Sequence, residues 1–183
     1  MEVIRTKLIG VYILQPKIFQ DNRGWFAETW SKAHMEEMGL DYNFIQDNQS
    51  YSMKEGTLRG LHFQKGEASQ AKLVHCCQGT VLDAAVDLRK GSPTYMEWIT
   101  VKLSAENKLQ LLIPRGFAHG FLTLTDDVEF LYKEDNSYKP ESEGSILWND
   151  LGIKWGIDSP ILSKKDANAP KFNDSDVDFV YHP

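Results

Sequence analysis

The sequence predicts an all-β fold of the sandwich, jelly-roll or barrel type in a chain of 183 residues. Six short runs rich in β-branched and aromatic residues predict the strands, at residues 12–14, 73–77, 80–88, 96–103, 109–113 and 128–133. Turn-forming residues separate these runs, at residues 79, 91–93, 104–107 and 126–127. Short strands at such regular intervals are typical of these architectures.

The remaining elements are few and peripheral. A helix is expected over residues 31–39, because Ser31 is a good cap and Gly39 a good end. The tail from Ser159 predicts loop and a short helix. The chain has no repeat, low-complexity tract or linker, so one domain over residues 1–183 is expected.

Composition excludes several classes of function. The net charge is −6 without a basic block, which argues against binding to nucleic acid but leaves room for a small anionic ligand. No run approaches about 18 apolar residues, so no membrane span is expected. The N-terminus lacks the pattern of a secretory signal. The adjacent Cys76 and Cys77 indicate reduced thiols in a cytoplasmic protein.

Two segments of similar design indicate a site. Residues 56–64 and 113–121 each place a histidine, His62 or His119, among apolar residues and glycines with an arginine nearby. Burying such polar groups costs several kcal/mol, roughly, unless they are paired or used. Polar groups set against the local pattern are therefore candidates for function.

Strand alternation places further polar groups inside the fold. Lys72 shares a strand face with Val74 and Cys76, and Asp83 shares one with Ala85. Together they would form a polar spot in the apolar lumen of a small barrel. Such lumens hold small ligands.

Seven blocks of the chain resemble the dTDP-4-dehydrorhamnose 3,5-epimerase family in order and spacing. They are residues 21–28, 46–50, 56–64, 83–93, 113–121, 148–150 and 162–166. The resemblance implies a cupin-type jelly-roll barrel, a dTDP-sugar substrate and no metal or other cofactor. It also implies a homodimer that exchanges N-terminal strands and a role in dTDP-L-rhamnose biosynthesis.

The implied reaction inverts C3 and C5 of dTDP-4-dehydro-6-deoxy-D-glucose, on either side of the C4 ketone. It needs a base on one face of the sugar, a proton donor on the other, and positive charge near the oxygen. His62 is the candidate base, since an imidazole titrates near neutral pH. Asp166 matches the family's partner for this histidine, and Asp83 is the second candidate.

Tyr132 matches the family's proton donor, and Lys72 its positive charge near the C4 oxygen. Each residue has a simpler interpretation. His62 is otherwise a core histidine bonded to a backbone carbonyl, Tyr132 a strand aromatic that alternates with Phe130, and Lys72 a solvated lysine.

The nucleotide contacts also rest on the resemblance. Arg23 and Arg59 suit the diphosphate, and each lies beside a glycine that would let a ligand approach the backbone. The remaining binding candidates are Phe26, Glu28, Gln46, Asn48, His119, Tyr138 and Glu143. Tyr138 is expected to stack on the base, Arg23, Phe26 and Glu28 to reach in from a partner subunit, and His119 either to bond substrate or to pack.

One departure from the family concerns Asn168, which stands where relatives often have a basic residue. A phosphate contact there is in doubt, although Lys164 and Lys165 are close enough in sequence to replace it.

Three other functions compete with this interpretation. A metal-dependent cupin would need clustered histidines, but no His-x-His occurs. A related epimerase that acts at C3 alone or C5 alone would share the same acid and base. A non-catalytic binding module would have no use for an acid and a base on opposite faces.

Overall fold

Strands dominate the structure. The computed structural model describes all 183 residues. The strands are β1 (Glu2–Arg5), β2 (Tyr12–Gln15), β3 (Ile18–Asp21), β4 (Gly24–Ala27), β5 (Gln46–Ser52), β6 (Leu58–Gln64), β7 (Lys72–Gln78), β8 (Thr80–Asp87), β9 (Trp98–Ser104), β10 (Gln110–Ile113), β11 (Phe117–Thr123), β12 (Val128–Glu134) and β13 (Glu143–Ser145). The helices are α1 (Lys32–Glu37) and α2 (Lys164–Ala167), with single 3-10 turns at Gly66–Ala68, Pro140–Ser142 and Phe172–Asp174.

The strands form two main antiparallel sheets. One has the order β1-β2-β10-β7-β12-β5 and the other the order β13-β6-β11-β8-β9. Strands β3 and β4 pair only with each other, as a separate hairpin. The predicted all-β class with few short helices is confirmed. None of the helices has the length and apolar character that crossing a membrane requires.

Apolar side chains from both sheets form a common core. Its members are Leu8, Val11, Val74, Cys76, Val81, Ala85, Leu103, Leu111, Ile113, Phe117, Phe121, Val128 and Phe130. Fully burying a side chain of the size of Val, Leu or Phe contributes about 1.5–3 kcal/mol. The predicted alternation is confirmed, because Val74 and Cys76 of β7 and Ala85 of β8 belong to this core. The same alternation turns Lys72 and Asp83 inward.

The outer faces of the sheets are covered by peripheral segments. Ile153 and Trp155, from the chain after β13, pack with buried residues of the five-stranded sheet such as Leu61. Met35 of α1 packs against Leu14 and Leu112 of the six-stranded sheet. Because these segments cover the outer faces, a polar group that faces inward can reach a cavity only in the space between the sheets.

Helix α1 follows the sequence prediction. The Ser31 side chain accepts a hydrogen bond from the backbone N–H of His34, which is the role of an N-cap residue. Gly39 follows the helix with a φ of +76°, a conformation that glycine adopts at no steric cost. The short helix predicted in the tail is also confirmed, as α2.

Three strands of the five-stranded sheet were not predicted as strands, namely β6, β11 and the three-residue β13. In β6 and β11, glycines weaken the strand pattern in sequence. A Cβ at Gly60 would lie 2.6 Å from the Cα of Gly120 and 2.8 Å from the carbonyl oxygen of His119. Gly60 is therefore needed for close approach of β6 and β11. Its expected role in admitting a ligand to the backbone stays a prediction.

Candidate active site

A cavity of about 350 Å³ opens between the two sheets. The polar or aromatic side chains of β5, β6, β12 and the α2 region line it. These residues are Asn48, Gln49, Ser50, Arg59, His62, Tyr132, Glu134, Ser163, Lys165 and Asp166. Five of the residues predicted for the site thus meet at one place, although they come from four distant parts of the sequence: Asn48, Arg59, His62, Tyr132 and Asp166.

His62 and Asp166 form a hydrogen-bonded pair at this cavity. His62 lies on β6, and its Nε2 is 2.5 Å from Oδ1 of Asp166 in α2. The hydroxyl of Ser163, the N-cap residue of α2, donates to Oδ2 of Asp166 at 2.8 Å. Burial opposes the charge of Asp166, but the His62 and Ser163 hydrogen bonds outweigh it and lower the pKa of this carboxyl group. The carboxylate is thus ionised and fixed in position.

Tyr132 faces the cavity from the other sheet. It lies on β12, and its hydroxyl is 3.2 Å from Oγ of Ser50 on β5. Its ring contacts Phe130 edge-on, with centroids 5.1 Å apart. Burial raises the pKa of Tyr132, and the Ser50 hydrogen bond opposes this only in part. The phenol therefore keeps its proton at neutral pH and is a hydrogen-bond donor.

A second pair, His119 and Asp83, lies deeper between the sheets. His119 is the direct cross-strand neighbour of His62 in the β11–β6 pairing. Its Nε2 is 2.8 Å from Oδ2 of Asp83, and both side chains are buried. Burial raises the pKa of Asp83, against the opposing effect of His119, and Oδ1 has no hydrogen-bond partner. Asp83 thus bonds to His119, and Asp166 is the carboxylate that contacts His62.

Lys72 is held inside the fold by a buried carboxylate. Its Nζ lies 3.5 Å from Oε1 of Glu134, and only 13% of the lysine side chain is exposed. The interpretation of Lys72 as a solvated strand lysine is therefore wrong. An ammonium group with one carboxylate partner has further hydrogens to donate, so it can serve as a fixed positive charge for a bound anion.

Arg59 lines the cavity, and Tyr138 and Glu143 are linked to it through the pairing of Glu143 with Lys165. The Arg59 guanidinium bonds to Oγ of Ser52 and to the Tyr51 carbonyl. The Tyr138 hydroxyl donates to Oε2 of Glu143 at 3.1 Å, and half of this tyrosine is exposed. Burial opposes the charge of Glu143, yet its pairing with the neighbouring lysine of α2 lowers its pKa.

Three predicted binding residues lie elsewhere in this chain. Arg23 on the β3–β4 turn pairs with Asp21, and Phe26 on β4 is 69% exposed. Glu28, just after β4, bonds to Nδ1 of His34 at 2.6 Å. None of the three lines the cavity, and their supply by a second subunit stays a prediction.

The family of the chain follows from comparison with known proteins. The model of the family described as dTDP-4-dehydrorhamnose 3,5-epimerase matches residues 5–174. The chain belongs to the dTDP-4-dehydrorhamnose 3,5-epimerase family. The family member from Salmonella typhimurium strain LT2 is 56% identical over 174 residues, which cover 93% of this chain and 94% of that protein.

Solved structures of the family share the same fold. The dTDP-6-deoxy-D-glucose-3,5-epimerase of Legionella pneumophila, in complex with dTDP-4-keto-L-rhamnose, is 44% identical with a TM-score of 0.94, covering 100% of this chain and 99% of that one. A 3'-monoepimerase from Streptomyces bikiniensis, in complex with dTDP-quinovose, is 35% identical with a TM-score of 0.85 and covers 92% and 86% of the two chains. Solved structures similar to this chain thus include both a 3,5-epimerase and a 3'-monoepimerase.

Some cavity residues were not predicted from the sequence. Ser50 and Ser163 support Tyr132 and Asp166, and Glu134 supports Lys72. Glu134 could have been predicted, because it lies two residues after Tyr132 on β12 and its side chain therefore faces the same side of the sheet. The serines had none, because a serine in a turn or an edge strand has many ordinary uses.

The sequence left two questions: whether a basic group replaces the one missing at Asn168, and whether the protein holds a metal ion. Asn168 is exposed and donates to the backbone carbonyl of Lys164, while Lys165 lines the cavity. A basic group therefore reaches the cavity from α2 despite Asn168. The His, Cys, Asp and Glu side chains form no group of three or more that would hold a metal ion.

Proposed function

We propose that this protein inverts C3 and C5 of dTDP-4-dehydro-6-deoxy-D-glucose, giving dTDP-4-dehydro-L-rhamnose for dTDP-L-rhamnose biosynthesis. It is an isomerase of its family that uses no metal or other cofactor. The observation that carries the proposal is the cavity in which a histidine–carboxylate pair and a protonated phenol face each other from opposite sheets. That arrangement suits removal of a proton from one face of a sugar ring and return to the other.

His62 carries out the first half of each inversion, the removal of a proton from carbon. Its imidazole takes the proton from the carbon beside the C4 ketone, and the C–H electrons form a C=C bond as negative charge moves to the ketone oxygen. Asp166 stabilises the resulting imidazolium. Lys72 supplies positive charge near that oxygen, where a fixed cation stabilises the enolate most.

Tyr132 carries out the second half of each inversion, the return of a proton to carbon. Its phenol gives its proton to the same carbon from the opposite face, the C=C bond becomes a C–H bond, and the ketone re-forms. The phenolate and the imidazolium then recover their starting states by proton exchange with solvent. Since both C3 and C5 flank the same ketone, one oxygen site serves both inversions.

The nucleotide contacts are assigned to polar residues around this centre. Arg59 is proposed to bind the diphosphate, Gln46 and Asn48 the thymidine portion, and Tyr138 to stack on the base. The remaining proposed contacts are Glu143 and, in the interior, His119. The open position of Tyr138 and the exposed guanidinium end of Arg59 support these roles.

A homodimer with exchange of N-terminal strands completes the proposed site. The β3–β4 hairpin pairs with no other strand of its own chain and exposes Phe19, Trp25 and Phe26. Strand β5, which lines the cavity, has one free edge. A hairpin added to a free edge satisfies its backbone groups. The same step would bring Arg23, Phe26 and Glu28 to the partner's cavity.

Domain and compartment are proposed on simpler grounds. We assign residues 1–183 to a single epimerase domain, because the family match spans most of that length. We assign the protein to the cytoplasm, in line with its two unpaired cysteines.

Turnover in D₂O tests the proposal. Purified protein is incubated with dTDP-4-dehydro-6-deoxy-D-glucose, and the product carbons are read by NMR. The proposal predicts one deuterium at C3 and one at C5. The second candidate, a single-carbon epimerase, is favoured by the likeness to the 3'-monoepimerase, and it predicts label at one carbon only. A product without deuterium would contradict both. Activity that requires stoichiometric iron, nickel or zinc would also overturn the cofactor-free assignment.

A further inference from the structure

Glu134 is a buried carboxylate that the proposed mechanism does not use. It is the last residue of β12 and only 5% exposed. It lies two residues after Tyr132, so both side chains point to the inner face of the sheet. Its cross-strand neighbours are Gln46 on β5 and Lys72 on β7. It therefore stands between a proposed nucleotide contact and the proposed cation at the ketone.

The contacts of Glu134 reach both sides. Oε2 accepts hydrogen bonds from Nε2 of Gln46 at 3.0 Å, Nδ2 of Asn48 at 2.9 Å and Nε2 of Gln70 at 2.9 Å. Oε1 lies 3.5 Å from Nζ of Lys72. One carboxylate thus holds three carboxamides and one ammonium group.

The Glu134 carboxylate fixes the orientation of these groups because a carboxylate only accepts hydrogen bonds. The amide nitrogens of Gln46 and Asn48 must point at it, which turns their carbonyl oxygens elsewhere. Oε1 of Gln46 accepts from the backbone N–H of Tyr138 at 3.0 Å, and Oδ1 of Asn48 accepts from Gln46 at 3.1 Å. A glutamine at position 134 would point its NH₂ group either at these nitrogens or at Lys72, and it would leave Lys72 without a counter-charge.

We infer that Glu134 is a positioning residue that sets, through one carboxylate, both the amides that contact the nucleotide and the lysine beside the ketone oxygen. This inference rests on the proposed function. Glu134 acts through Gln46, Asn48 and Lys72, and it couples nucleotide binding to chemistry by holding them in one arrangement.

The first test is Glu134→Gln with Glu129→Gln as matched control. Glu129 lies on the same strand and also accepts from a β5 amide, Nε2 of Gln49 at 3.0 Å, but Glu129 itself does not line the cavity. Titration with dTDP alone gives the dissociation constant, and steady-state assays give kcat. For Glu134→Gln we expect dTDP binding weakened about tenfold and kcat lowered about tenfold, because each lost charge-assisted contact has roughly that effect. Glu129→Gln should stay within about twofold of wild type.

A double-mutant cycle with Lys72→Met separates positioning from general damage. If Glu134 affects chemistry through Lys72, then adding Glu134→Gln to Lys72→Met lowers kcat no further, while dTDP binding still weakens. Multiplying effects on kcat, or unchanged dTDP binding in Glu134→Gln, would overturn the inference.

A third variant covers loss of folding. If Glu134→Gln does not fold, Glu134→Asp keeps the charge but draws it back by one methylene, and the same weakening of dTDP binding and kcat is expected. Values equal to wild type in Glu134→Asp would then overturn the inference. Failure of the proposed function is distinguishable, because it would appear as wild-type protein that binds dTDP without turning over the 4-ketose.

Discussion

The two histidine–carboxylate pairs of this fold consist of the same residue types but differ in exposure and in hydrogen bonding. His62 and Asp166 lie at the cavity, where 30% of the histidine side chain is exposed and the carboxylate has a second donor in Ser163. His119 and Asp83 are buried, and one oxygen of Asp83 has no partner. The pKa of Asp166 is lowered and that of Asp83 is raised.

The difference shows that surroundings, more than residue identity, set the state of a pair. A carboxylate with two donors is stabilised as a charge, so it can support a histidine that gains and loses protons. A carboxylate buried with one donor resists ionisation, which suits a role in holding its histidine in place. The pair at the cavity is therefore the one expected to change charge during turnover.

The largest effect is expected from His62→Asn. Removing the base should lower kcat by at least about a hundredfold, while dTDP binding stays near normal. Steady-state kinetics and titration with dTDP provide the two readings. The matched control is His75→Asn, a half-buried histidine outside the cavity, which should retain activity within about twofold. Equal activity of His62→Asn and wild type would remove His62 as the base.

Asp166→Asn should have the next largest effect. The amide keeps the size of the side chain but cannot stabilise an imidazolium, so kcat should fall about thirtyfold or more. Asp83→Asn should lower kcat by less, about tenfold or under, because that pair positions a group without changing charge. Assays of both variants under one set of conditions decide the matter. A greater loss in Asp83→Asn than in Asp166→Asn would reverse the assignment of the pairs.

The pH dependence of stability should differ in sign between the same two variants. The lowered pKa of Asp166 means that its contribution to the free energy of unfolding is present above the ordinary value of 3.8 and is lost as the pH falls through the lowered value. The raised pKa of Asp83 means that its contribution is present below 3.8 and is lost as the pH rises.

Urea unfolding between about pH 3 and about pH 8 measures these contributions. As the pH rises, wild type should gain stability relative to Asp166→Asn and lose it relative to Asp83→Asn. Parallel pH profiles for the two variants would show that the two carboxylates are in equivalent states.

The smallest effect is expected from Ser50→Ala. Loss of one neutral hydrogen bond to the Tyr132 hydroxyl should lower kcat by about two- to fivefold. The comparison is Ser52→Ala, on the same strand, whose hydroxyl accepts from Arg59 and should affect KM more than kcat. Identical changes in kcat and KM for both serines would remove the specific support of Tyr132 by Ser50.

The sequence predicted the parts of this molecule that rest on alternation and turns. Strands such as β7 and β8 and their buried faces were predictable because apolar side chains alternate there. Strands β6 and β11 were not predictable in this way. Their glycines are needed where the two backbones approach closely, and that contact exists only in the folded chain. Resemblance to the family pointed to His62 and Tyr132. The division of Asp166 and Asp83 between two histidines depends on the register of β6, β8 and β11, which no local pattern specifies.

The Tyr132→Phe variant in D₂O shows whether a base and an acid act on opposite faces of the sugar. Without the phenol, His62 should still remove a proton from carbon and return deuterium to the same face. We expect substrate recovered with deuterium at C3 or C5 and its configuration retained, with formation of the epimer slowed at least about a hundredfold. Inversion at the wild-type rate in Tyr132→Phe, or loss of exchange together with inversion, would contradict this expectation.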